Sequence, residues 1–73
     1  MKMKYDPLSD TLYIDTCPPY EGQESDEIAR GVVIRTNPSS GEIENIEVMF
    51  FRRRFAKGEP FELPIDMRCL RTA

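Results

Sequence analysis

The chain has 73 residues, 40% of them hydrophobic, with 13 acidic against 10 basic side chains and a net charge of −3. That length sets a single domain, residues 1–73, and the acidic balance argues against bulk nucleic-acid binding, since phosphate neutralisation usually leaves such a domain basic. The lack of histidine removes the usual general base near neutral pH, and two cysteines without histidine cannot assemble an ordinary zinc set.

A chain this short buries only about 60% of the surface its unfolded form exposes, so outside support from disulfides, metal or oligomerisation is expected. No apolar run approaches the ~18 residues a membrane span needs. Met1-Lys2-Met3-Lys4 runs straight into charged and turn residues with no signal-like stretch behind it, which predicts a cytoplasmic protein with Cys17 and Cys69 as free thiols. No metal or cofactor is expected. Self-association is the remaining support, which predicts a homodimer or higher oligomer.

In chain order, Met3 and Tyr5 alternate with Lys2 and Lys4, Asp6-Pro7 breaks the run, and Leu12 and Ile14 then alternate with Thr11, Tyr13 and Asp15. This pattern predicts a β-hairpin. Thr16 to Gln23, with Pro18-Pro19 and Gly22, reads as a loop. Glu24 to Ala29 is polar apart from its end and fits an edge strand, where charge discourages unwanted strand addition. Gly31 to Thr36 is β-branched and apolar and fits a central strand.

Asn37-Pro38-Ser39-Ser40-Gly41-Glu42 has turn chemistry: an Asx bond from Asn37, a preset corner at Pro38 and positive φ at Gly41. In the following strand, residues 43 to 51, Ile46, Val48 and Phe50 share a face. Ile43 is out of phase with them by one residue, which predicts a bulge near Glu44 and Asn45. The period then changes. Phe51 and Phe55 are four apart, with Gly58 and Pro60 as a stop, predicting a helix over about 51–57 whose phenylalanines face the protein and whose arginines point outward. The tail, 59–73, holds Phe61, Leu63, Ile65, Met67 and Leu70, with Pro64 confining it to an edge. So much apolar surface in a terminal extension marks a contact site. The fold class is therefore α+β, mostly β, an antiparallel meander of four to five strands over about 2–51 with one short C-terminal helix.

Three groupings bear on chemistry. Asp6, Asp10 and Asp15 suggest a carboxylate-based cation binder or enzyme, yet turn and strand-end roles account for all three, and the spacing lacks a calcium-loop pattern. Arg52, Arg53 and Arg54, beside aromatic residues, are the candidate nucleic-acid contact. Phe51, Phe55, Phe61, Leu63, Ile65, Met67 and Leu70 are the candidate protein interface. The acidic stretch holding Glu21, Glu24, Asp26 and Glu27 contrasts with the arginine run, and the two are suited to attract each other between subunits. Ser9, Ser25, Ser39 and Ser40 lie in polar segments with no visible activating partner, so no catalytic residue is assigned.

Tyr5-Asp6-Pro7, Asp10, Leu12-Tyr13-Ile14, Gly31-Val32-Val33-Ile34 and Gly41-x-Ile43-x-x-Ile46-Glu47-Val48 together resemble a small prokaryotic family of unknown function. Its members open with Y-D-P-x-x-D-x-L-Y-I and continue through G-V-I and G-x-I-x-G-I-E-I strands. The resemblance covers about residues 3–50, departs at Asn45 where the family favours glycine, and implies a compact antiparallel sheet with a short helical C-terminus. It implies no activity, cofactor or catalytic residue, and suggests small accessory proteins, some paired with toxin-like neighbours. The expectation is a non-catalytic protein-interaction module, antitoxin-like in character and partnered by a second copy or by a protein such as a toxin, with nucleic-acid contact through Arg52–Arg54 as the alternative.

Overall fold

A computed structural model of the chain describes residues 1–66 and residue 71. Five strands, β1 (Lys2–Asp6), β2 (Thr11–Asp15), β3 (Glu24–Ala29), β4 (Val32–Thr36) and β5 (Ile43–Met49), precede one helix, α1 (Phe51–Arg54). All pair antiparallel in one sheet of order β1-β2-β5-β4-β3. The expected five-stranded antiparallel sheet with one short C-terminal helix is what forms. Its order departs from a chain-order meander at one point: residues 16–23 carry the chain from β2 past β5 and β4 to the far edge. β3, β4 and β5 then return as consecutive hairpins, and β5 seats itself beside β2.

Residues opposite one another on neighbouring strands share a face. The registers Tyr5↔Leu12, Leu12↔Val48, Val32↔Val48, Ile14↔Ile46 and Ile34↔Ile46 therefore gather one apolar face. Lys4↔Tyr13, Tyr13↔Glu47 and Val33↔Glu47 place the more polar set opposite. The phase break at Ile43 is resolved as expected. Arg35 pairs with Asn45 while Thr36 pairs with Ile43, so Glu44 is the extra residue of a bulge and Ile43 returns to the apolar face.

The two predicted turns use their own side chains. Asp6 accepts hydrogen bonds from the Leu8 amide at 3.0 Å and the Ser9 hydroxyl at 2.8 Å. Asn37 accepts from the Ser39 and Ser40 amides at 2.8 and 3.1 Å, with Gly41 at φ 74°. Between β3 and β4 the chain reverses in two residues, Arg30 and Gly31, and Gly31 takes φ 72°.

Three expectations for the segment after β5 are corrected. The strand ends at Met49, not 51, and Phe50 leaves the core face for a left-handed conformation at φ 57°, 40% exposed. The helix is four residues, not seven: Phe55 to Lys57 form turns, and the Phe55 amide donates to the Arg52 carbonyl. So short a segment lacks the cooperativity that would propagate a helix, and Gly58 and Pro60 close off extension. The arginines also do not all point outward, since Arg54 is half-buried, whereas Phe55 is 44% exposed.

Among the described residues only Val32 and Val48, at the centre of β4 and β5, are fully buried apolar side chains. Leu12, Ile14, Ile34 and Ile46 are half-buried. One sheet with one turn of helix supplies a single layer, whereas stable domains bury an apolar face against a second. The Cα radius of gyration, 13.0 Å, exceeds the about 11 Å expected of a compact domain of this length. Among the described residues no helix is long and apolar enough to cross a membrane.

Candidate interaction surface

The topology brings the β1–β2 turn, the β3–β4 turn and α1 to one end of the sheet, and this end concentrates arginine and aromatic side chains. It is held by two fastenings. In the first, the Tyr5 hydroxyl donates to Asp10 Oδ1 at 2.7 Å, and the same oxygen accepts the Arg52 amide at 2.9 Å. The Asp10 carbonyl takes the Phe51 amide at 2.9 Å. Asp10 thus caps α1 from a turn far away in sequence, satisfying donors that a helix start leaves unpaired. The hydrogen bond from Tyr5, then the amide of Arg52, hold the Asp10 carboxyl below its ordinary range, and Asp10 in turn raises the Tyr5 phenol. Phe51 sits beside Tyr5 with ring centroids 6.0 Å apart and meets Phe55 edge-on at 5.2 Å.

The second fastening is Arg54. Its Nε donates to the Met49 carbonyl at 2.7 Å and a terminal nitrogen donates to the Arg30 carbonyl at 2.5 Å, tying the β3–β4 turn to the end of β5. Its guanidinium lies 4.4 Å from the centre of the Phe61 ring, which anchors the start of the tail. Gly31 makes room for this: a β-carbon there would stand 2.7 Å from the Arg54 terminal nitrogen and 3.2 Å from two Phe50 ring carbons.

The expected nucleic-acid cluster is therefore divided. Arg52 and Arg53 are exposed, Arg53 lying over Phe50 at 5.8 Å, while Arg54 is committed to carbonyls and a ring. Of the expected interface residues, Phe51 and Phe55 join the aromatic end, and Phe61, Leu63 and Ile65 alternate as half-buried with exposed Glu62, Pro64 and Asp66. Met67 and Leu70 lie outside the described residues, as does Cys69. Phe50 stood among the aromatic residues beside the arginine run, but Arg30 and Gly31 were not singled out from the sequence for this surface. The one available signal was the Arg-Gly pair ahead of an apolar strand, which marks a tight turn but not its neighbours.

The opposite end of the sheet is polar and acidic. Asn45, 1% exposed, donates to Asp15 at 2.8 Å and to the Cys17 carbonyl at 2.7 Å, and accepts from Gln23 at 2.7 Å. Tyr20 donates to Glu44 at 2.6 Å, which pushes the phenol up to about 12 and holds Glu44 down. This network fastens the crossover loop, and Asn45 supplies the amide that a glycine would lack. The three aspartates do not converge: Asp6 and Asp10 are engaged at one end and Asp15 at the other. Among the described residues no group of three histidine, cysteine, aspartate or glutamate side chains is placed to hold a metal ion. Cys17 is a free thiol.

Residues 2–52 match the family described as "Protein of unknown function (DUF2283)", so the chain belongs to that family. The match takes in all five strands and ends inside α1, leaving the tail beyond it. No curated protein and no solved structure is detectably similar to the chain.

Proposed function

We propose that this DUF2283 domain is a non-catalytic protein-interaction module that works as a homodimer, a second copy supplying the layer that one sheet lacks. The observation that carries this reading is surface area. The chain exposes 6071 Å², whereas a folded monomer of its mass exposes about 4,700 Å². The excess, on the order of 1,400 Å², is more than the roughly 800 Å² each partner contributes to a standard interface. The half-buried strip of Phe61, Leu63 and Ile65 and the exposed ring of Phe55 continue that surface beyond the sheet. A closed symmetric pair covers it without leaving an open end for further growth.

Sedimentation equilibrium over a wide concentration range tests this. The expected species has about twice the 8.5 kDa chain mass, and Leu63→Glu with Ile65→Glu shifts it to monomer. A well-folded monomer at every concentration, whose unfolding midpoint is unchanged when the chain is cut after Gly58, overturns the reading. An antitoxin-like role is the finer form of the same proposal, in which a cognate protein such as a toxin displaces the second copy. Its sign is a one-to-one mixed complex formed at the expense of the homodimer.

A further inference from the structure

We propose that the cleft between Arg30 and Arg53 binds a phosphate group, either free or carried on a small ligand. The cleft measures about 290 Å³ and is lined by Arg30, Phe50, Arg53 and Arg54. That is at the lower edge of the roughly 300–1,000 Å³ of small-molecule sites, a size for a compact anion. This inference is independent of dimerisation, since it concerns the sheet end and asks nothing of the tail.

Charge supports it first. Acidic side chains outnumber basic ones by 13 to 10 in the sequence, yet among the described residues the only ion pair is Arg35 with Glu47. Arg30 and Arg53 have no carboxylate within 4.0 Å among those residues. The nearest acid in sequence on that turn, Glu27, accepts the Gly31 amide at 3.4 Å. Arg30 and Arg53 therefore line one cleft with neither in an ion pair among the described residues, the Asp10 carboxylate being near enough to Arg53 only to feel its charge.

Rigidity supports it next. Arg54 lines the cleft and gives two of its N–H donors to the Met49 and Arg30 carbonyls, so it fixes the backbone from which Arg30 springs. An edge of the Phe50 ring lies beside Gly31, and the Arg53 guanidinium lies 5.8 Å from the ring centre. Anchored arms lose less freedom when a ligand arrives than arms on a mobile loop.

The chemistry then selects the ligand. A carboxylate is satisfied by one guanidinium fork, whereas two forks from separate elements suit a dianion with three or four acceptor oxygens. Stacking of a nucleobase on Phe50 competes with Arg53, whose guanidinium already lies 5.8 Å from the ring centre. The phosphate itself, not a base, is what the cleft recognises.

The test is an NMR titration of the full chain with inorganic phosphate and with a nucleoside 5′-monophosphate at constant ionic strength, following the arginine side-chain Nε–H signals. Saturable shifts are expected at Arg30 and Arg53, and Arg30→Ala or Arg53→Ala should weaken binding at least about fivefold by removing one fork. Arg53→Lys should fall between, and Arg52→Ala, outside the cleft, should leave affinity unchanged. Tighter binding of the monophosphate identifies a phosphorylated small ligand as the source, and equal binding identifies the free anion. Absence of saturation overturns the proposal. So does equal loss in Arg52→Ala, which would mean diffuse charge.

Discussion

Replacing Gly31 with alanine should destabilise the domain by about 2–3 kcal/mol, combining about 1–2 for a left-handed backbone with a β-carbon and about 1 for a lost hydrogen bond. Gly31 stands at φ 72°, and the new methyl would lie 2.7 Å from the Arg54 terminal nitrogen. Arg54 is flexible at that end and can withdraw, but doing so gives up its bond to the Arg30 carbonyl. The Phe50 ring, 3.2 Å away, must also shift. For a domain of this length total stability is on the order of 4–11 kcal/mol, so the loss should lower the melting temperature by roughly 10–20 °C. Urea unfolding followed by circular dichroism measures it. Gly31→Asn separates the two causes, because asparagine tolerates the left-handed region while carrying the same β-carbon. In an Arg54→Ala background the clash with the guanidinium vanishes and only the Phe50 contact remains, so the two changes should sum to less than their separate costs. A Gly31→Ala variant within about 0.5 kcal/mol of wild type, or strict additivity with Arg54→Ala, would refute the reasoning.

At the other end of the sheet, Asn45→Ala should cost about 2–3 kcal/mol, because its buried amide serves three half-buried partners at once; faster proteolysis within residues 16–23 would report release of the crossover loop. Tyr20, pushed up to about 12 by Glu44, stays neutral longer in the folded chain than in the unfolded one, so its contribution is full below pH 10 and is lost between pH 10 and about 12. Absorbance titration of the phenolates should show a last-titrating tyrosine that disappears in Tyr20→Phe and moves back toward 10 in Glu44→Gln. Asp10 has the opposite sign: its carboxyl is held below 3.8, so its contribution is present above that pH and lost as pH falls through the lower folded value. Asp10→Asn should flatten the acid limb of a stability-against-pH curve, and an unchanged limb would show that the carboxylate does not cap α1.

Much of the sheet was legible because its signals are local. The alternation in Met3, Tyr5, Leu12 and Ile14 set the first hairpin, and Asn37 to Gly41 named its own turn. Even the bulge at Glu44 was visible, as Ile43 falling out of step with Ile46 and Val48. The site was far less legible. Asp10 read as a residue closing its own turn, yet its carboxylate serves the amide of Arg52. Arg52 to Arg54 read as one cluster, and the fold separates them by giving Arg54 two carbonyls and a ring. Arg30 drew no notice, because nothing in Ala-Arg-Gly announces that α1 will arrive beside it.

The sequence by itself determined the strands, the turns and the preference for an antiparallel sheet, since each depends on the conformational preferences of residues a few positions apart. Tertiary structure decided the strand order, the capping of α1 by a distant aspartate and the meeting of Arg30 with Arg53. Those depend on which chain ends are brought together when β5 inserts between β2 and β4, and burial and hydrogen-bond satisfaction across the sheet select that insertion only once the strands exist to be paired.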